Sequence, residues 1–188
     1  MNEFVELIND KEVLLIGNGN SLTQKDNSKL IDSYEFVIRF NLAISKDHRY
    51  IGKKTDGWFY TMVSEGKCKG IYKSAKVKPR HCIRHHCSPL NIGENNYFID
   101  TQIYRKKFNE MLNMEEGHHA SSGLCCVHYL LEYCKPKSVS LIGFDSFSSK
   151  NFYEGSHRLS SIKTRHQPDV EKEYLRKLSE EKKIQLFD

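Results

Sequence analysis

No stretch of the 188 residues reaches the roughly 18 uninterrupted apolar residues of a membrane span. The start, Met1-Asn2-Glu3-Phe4-Val5-Glu6, has no basic flank leading into an apolar run, so the chain is expected to be soluble, unexported and cytoplasmic. Two nucleotide fingerprints are missing as well. There is no GxxxxGK[ST] phosphate loop, and Gly17-Asn18-Gly19 lacks the third glycine of a dinucleotide site, which argues against ATP hydrolysis and nicotinamide redox chemistry. Nor is there any Asp-x-Asp, the carboxylate pair that commonly holds Mg²⁺ or Mn²⁺ on a nucleoside diphosphate. Internal repeats and low-complexity tracts are absent. Charge imbalance is small, a formal +5 at pH 7.

The length suits one domain with a full core and is short for two, so residues 1–188 are expected to form a single domain. Three of the six cysteines, Cys125, Cys126 and Cys134, fall in a predicted helix, which points to core thiols in a reducing compartment. Positive charge gathers in Lys67, Lys69, Lys73, Lys76, Lys78, Arg80 and Arg84 and again in Arg105-Lys106-Lys107. Such a face suits a nucleotide, an anionic glycan or peripheral association with a phospholipid surface, or is simply a solvated face. Nucleic acid is not expected as a partner, because no basic helix or aromatic RNA-binding signature accompanies the charge.

Apolar runs alternate with helical patterns along the chain, the pattern of an α/β fold. Strands are predicted at 12–17, 35–40, 57–61, 75–77, 81–84, 97–99, 138–143 and 183–187, and helices at about 27–32, 101–113, 121–134 and 168–182. In the last helix Val170, Tyr174, Leu175 and Leu178 recur at a spacing of three and four, giving one buried face. Residues 62–96 and 144–167 are rich in charge, glycine and serine and are expected to be active-site loops.

The strongest local signal is Gly17-Asn18-Gly19-Asn20-Ser21-Leu22 directly after Val13-Leu14-Leu15-Ile16. A buried strand that ends in a glycine-asparagine loop presents backbone donors and small polar side chains where open α/β sheets bind nucleotides. Asn41 closes the next strand-like run, Phe36-Val37-Ile38-Arg39-Phe40, so two asparagines stand at the ends of two successive strands. Ser121-Ser122-Gly123 opens an apolar helix, where serines cap the free amides and the remaining N–H groups favour an anion. Pro168 starts the last helix with His166 just outside it and Glu171 in its first turns, a position that gives a base access to substrate. A separate tract, His81-Cys82-Ile83-Arg84-His85-His86-Cys87, has metal-ligand residue types, and Cys68 or His118-His119 would have to complete a zinc site; a plain strand and loop is the alternative.

Taken in chain order, these motifs resemble those of the sialyltransferases. Ile16 to Leu22, Asp32, Val37 to Asn41 and Gly52-Lys53-Lys54-Thr55 resemble the large sialyl motif, and also the N-terminus of the Campylobacter-type bacterial enzymes. Ser121 to Cys134, continuing to Val139 through Asp145, resembles the small motif. His166 with Glu171 fits the short His-x-x-x-x-Glu motif. The resemblance implies a variant of the single-Rossmann-domain GT-A glycosyltransferase fold, with a mostly parallel sheet flanked by helices. It implies inverting, metal-independent transfer from a CMP-activated keto sugar to a glycan or glycolipid acceptor, with no cofactor. CMP-sialic acid is the leading donor, with CMP-Kdo or an inactive nucleotide- or carbohydrate-binding module as alternatives. Residue by residue, it implies donor contacts from Asn18, Gly19, Ser21, Asn41, Thr61, Ser121, Ser122, Gly123 and Tyr153, and a general base at His166. The disulfide that ties the large motif to the small one in eukaryotic enzymes is not expected, because Val13 and Leu14 occupy the region of Cys134's partner.

Overall fold

A computed structural model describes residues 3–46, 49–61, 64–85, 88–146, 148, 151–153 and 165–187, the side chains of 101–104 excepted. Seven strands form one sheet: β1 Glu12–Ile16, β2 Phe36–Phe40, β3 Gly57–Tyr60, β4 His81–His85, β5 Asn95–Ile99, β6 Ser138–Ile142 and β7 Gln185–Phe187. Their spatial order is β5-β4-β3-β2-β1-β6-β7, and every neighbouring pair is parallel. The helices are α1 Glu3–Ile8, α2 Ser28–Ser33, α3 Glu65–Ser74, α4 Thr101–Met111, α5 Ser122–Tyr133 and α6 Pro168–Glu180, with 3-10 turns at Asn20–Thr23 and Asn41–Ser45.

A parallel sheet needs a crossover between successive strands, and helices fill those crossovers and cover both faces. The central strands are accordingly buried along their length rather than on alternate residues: all five residues of β2 are buried, Arg39 among them, and four of five in β1 and β6. On one face Val13, Leu15, Ile38, Phe59 and Ile83 pack with Phe4 of α1, Phe108 of α4, Leu124 and Val127 of α5 and Leu175 of α6. On the other, Leu14, Ile16 and Val37 meet Leu22 and Ile31, while Trp58, Tyr60 and Cys82 lie under Cys68 and Ile71 of α3. Each such aliphatic side chain contributes about 1.5–3 kcal/mol by leaving water.

The predicted strand at 75–77 does not form. The segment is the C-cap and the bend that follow α3, a helix in a stretch read from sequence as loop: Ala75 donates its N–H to the carbonyls of Ile71 and Tyr72. Lys78 Nζ then donates to the carbonyls of Tyr72, Lys73 and Ala75 at 2.7, 2.6 and 2.6 Å. A cation here satisfies the orphan acceptors of the last turn and the negative end of the helix dipole. Among the described residues Cys68, Cys82, Cys125, Cys126 and Cys134 are buried thiols in no disulfide, consistent with a role in the core.

Strand order locates the site. The chain lays β2 to β5 outward on one side of β1 and then returns to place β6 on the other side. The carboxyl ends of β1 and β6 therefore diverge into connections on opposite sides, which opens a crevice at the edge of the sheet where ligands of open α/β folds bind.

Candidate active site

The loops leaving β1 and β6 are bound to each other. Gly17 N–H donates to the Ile142 carbonyl at 2.8 Å, and Gly19 N–H to the Gly143 carbonyl at 2.9 Å. Gly143 adopts φ +71, a left-handed conformation that side chains disfavour. A Cβ on Gly17 would lie inside contact distance of the Gly143 carbonyl, and one on Gly19 inside that of the Asp145 carboxylate. Asp145 completes the latch by accepting from Ser21, from the main-chain N–H at 3.1 Å and from the hydroxyl.

Between these loops, the end of β2 and the start of α5 lies a cleft of about 250 Å³. Of the residues singled out from sequence, Asn18, Gly19, Asn41, Ser121, Ser122, Gly123, Tyr153 and His166 all line it. Ser21 and Thr61 do not: Ser21 is turned onto Asp145, and Thr61 donates its main-chain N–H to Asn41 Oδ1 at 3.2 Å. That bond fixes the Asn41 side chain, and the Asn41 carbonyl accepts from Trp58 Nε1 at 2.8 Å. Asn41 is thereby held at φ +47, a left-handed position asparagine tolerates better than most residues. Its amide nitrogen is left to serve a ligand as donor. Asn18 Oδ1 is buried and has no hydrogen-bond partner among the described residues, an acceptor oriented for something the cleft would hold.

At the start of α5, Ser121 accepts from the Leu124 N–H at 3.2 Å, and Cys125 N–H reaches the Ser121 carbonyl. The first-turn amides of Ser122 and Gly123 remain for an anion. Gly123 permits the close approach of Phe144, whose ring would lie 2.9 Å from a Cβ there.

His166 sits at the opposite wall with its side chain 18% exposed. Its Nδ1 lies 2.7 Å from the His119 carbonyl, which can only accept, so Nδ1 carries the proton and Nε2 is the bare nitrogen. Burial lowers the pKa of the ring below the ordinary histidine value, with nearby Arg105 and Arg165 acting in the same direction against the His119 bond. Glu171, only 5% exposed, stands 3.9 Å from His166 Nδ1. It accepts from Ser121 through both oxygens, the N–H at 2.8 Å and the hydroxyl at 2.7 Å. Burial outweighs those bonds and pushes the Glu171 carboxyl up to about 7. The start of α6 is thus bound to the start of α5 across the cleft.

Sequence reasoning missed Asp145 as a latch, although it ends the segment Val139–Asp145, and missed Asn151, which forms an antiparallel bridge with Gly19 and lines the cleft. Of the two readings of the histidine-cysteine tract, the strand is the one the structure shows, as β4 His81–His85. The β4 side chains alternate across the sheet: His81 Nδ1 lies 3.1 Å from Tyr97 OH, Cys82 packs in the cluster under α3, and His85 stacks on Phe59 with Nε2 3.0 Å from Ser122 Oγ. Three or more metal-ligand side chains converge nowhere among the described residues, and His86 and Cys87 lie outside them.

Comparison with known proteins bears on this arrangement. Residues 11–90 match the family model for glycosyltransferase family 29 (sialyltransferase). The chain is thus similar to sialyltransferases in sequence over that span, which is under half of its length. A mammalian sialyltransferase crystal structure superposes with a TM-score of 0.67 at 19% identity, covering 97% of this chain and 70% of that one. The sialyltransferase CstII from Campylobacter jejuni, bound to the substrate analogue CMP-3FNeuAc, gives 0.61 at 22% identity, covering 94% and 80%. CstII in complex with a trisaccharide acceptor and CMP gives 0.60 at 20% identity, with the same coverage. No curated protein sequence matches the chain. The matched span, 11–90, runs from the start of β1 past β4, so it contains the Asn18 loop and Asn41 but not Ser122 or His166. Among the described residues no helix is long and apolar enough to cross a membrane.

Proposed function

We propose that the protein is an inverting glycosyltransferase that moves sialic acid from CMP-sialic acid to a glycan hydroxyl, working as one domain of the Rossmann-like GT-A variety. The observation that carries this reading is the convergence of Asn18, Asn41, Ser122 and a tautomer-fixed His166 on one cleft. His166 Nε2 accepts the proton of the acceptor hydroxyl as that oxygen attacks the anomeric carbon from the face opposite CMP. A base so placed contributes about 10²–10⁴ in rate. Burial keeps the ring neutral, and so ready to accept, at pH values where an exposed histidine begins to protonate.

Asn18 and Asn41 hold the nucleotide, Ser122 and Gly123 offer first-turn amides to the donor carboxylate, and Tyr153 donates to the phosphate as negative charge grows on it. Lys46 Nζ, 5.8 Å from the Tyr153 ring centre, adds positive potential at that end. Metal-independent transfer is part of this proposal, and the carboxylates of the cleft are its support. Among the described residues that line the cleft, the two carboxylates Asp145 and Glu171 are both engaged as acceptors, by Ser21 and by Ser121. Departure of a nucleoside monophosphate can instead be assisted by Tyr153 and Lys46. The acceptor is a glycan or glycolipid, and lysines of α3 and α4 such as Lys67, Lys73, Lys106 and Lys107 would bring a cytoplasmic enzyme to an anionic membrane surface.

A thermal-shift comparison of CMP, UDP and GDP tests the donor assignment. CMP at one hundred times its Kd should stabilise the protein by about 2.7 kcal/mol, with no comparable effect of the others. A shift with UDP that requires Mn²⁺, and none with CMP, would overturn the reading.

A further inference from the structure

A second cavity, of about 350 Å³, lies across the 3-10 turn Asn41–Ser45 from the active-site cleft. Asn41 and Leu42 of that turn face the cleft, whereas Ala43 and Ile44 line the second cavity. Its charged lining is Arg39, Lys46, Lys53 and Lys76, and no aspartate or glutamate is among the described residues that line it. Like charges brought together around one concavity raise its potential and attract an anion.

Arg39 makes the site more than a group of surface lysines. It is only 3% exposed, on the all-buried strand β2. Nε donates to the Lys54 carbonyl at 3.2 Å and Thr55 Oγ1 at 2.9 Å, and Nη2 to the carbonyls of Ile51 and Gly52 at 2.7 and 3.3 Å. Every one of these acceptors is neutral, and Nη1 donates to no described group. The nearest carboxylate influence is Asp32, whose Oδ1 is occupied by the N–H groups of Lys53 and Lys54 at 2.9 Å each. A buried guanidinium without a contacting carboxylate is costly, and an oxyanion accepting from Nη1, the nitrogen not engaged by these acceptors, would offset its charge.

We propose that this cavity is an oxyanion-binding site, for a phosphate- or carboxylate-class group, in which Arg39 is the fixed buried anchor and Lys46, Lys53 and Lys76 close over the ligand. Its place one turn from the cleft, with Lys46 reaching toward Tyr153, lets the anion be either an acidic group on the acceptor or a free oxyanion that sets the position of the Asn41 turn. The site does not depend on the CMP assignment.

Inorganic phosphate titrated by calorimetry into protein already saturated with CMP, at ionic strength held constant with chloride, isolates this site from the cleft. The wild type should bind one phosphate, and the Lys53→Ala/Lys76→Ala variant should bind it at least about tenfold more weakly, with CMP affinity unchanged. Both lysines are exposed at the rim, so the variant keeps the core intact. Transfer assays separate the sources. A raised KM in the variant for a carboxylate-bearing acceptor but not for a neutral one identifies an acceptor group. A phosphate-dependent rate with the neutral acceptor, lost in the variant, identifies a free effector. Phosphate binding no tighter than chloride, or equal in wild type and variant, overturns the proposal. Failure of CMP to bind would instead strike the donor reading, because phosphate titrated without CMP still compares wild type with variant.

Discussion

His166 and Glu171 are shifted by the same cause, burial, with opposite consequences for stability. Burial lowers the pKa of His166, so the unfolded chain takes up that proton first as pH falls below about 6.5, and stability is lost through that window. Glu171 is raised from 4.5 to about 7, so the folded protein holds the extra proton between those values, and stability is lost as pH rises through them. Glu171→Gln removes the second effect while keeping size and an acceptor oxygen for Ser121. Relative to wild type, the variant should gain up to a few kcal/mol between pH 4.5 and 8, because each tenfold change in proton affinity on folding is worth about 1.4 kcal/mol. Urea midpoints at both pH values measure this, and an equal difference at the two would show that Glu171 does not titrate as described. The residue types of His166 and Glu171 were legible from their place at a helix start. Their altered proton affinities were not, because they arise from contacts with His119, Ser121 and Arg105, roughly 50 to 65 positions away in the chain.

The β1 and β6 loops show how an element can be read correctly for an incomplete reason. Gly17 and Gly19 signal a nucleotide loop in the sequence, but the structure gives them a packing role, since each leaves room for the loop after β6. Gly17→Ala should therefore destabilise the protein by about 1–3 kcal/mol, as overpacking does, and weaken CMP binding with it. A variant with an unchanged urea midpoint would mean the loops separate easily. Helix α3 escaped sequence reading for a related reason. Of its ten residues only Cys68 and Ile71 are buried, so its periodicity is faint, and its stop signal is Lys78 folding back onto the last carbonyls. The large-motif residues Asp32, Arg39 and Gly52 divide in the same way. They hold the 51–55 loop rather than line the cleft, with Gly52 at φ +60 supplying the bend.

At the scale of the molecule, the alternation of apolar runs with helical patterns pointed to an α/β fold and the family resemblance to a mostly parallel sheet; the structure has a parallel sheet with β1, β2 and β6 buried. Strand order was not legible, because apolar runs buried on both faces do not name their neighbours. Order is what brings Ser122, after a long crossover, beside Asn18 and Asn41, and returns His166 to the same opening. The central claim, that this opening performs transfer with His166 as base, rests on that convergence. Initial rates of glycan sialylation from CMP-sialic acid, measured for wild type and His166→Ala at saturating donor, test it most directly. The account predicts a loss of about 10²–10⁴ in kcat with CMP affinity nearly unchanged. A His166→Ala protein that transfers at the wild-type rate would contradict it.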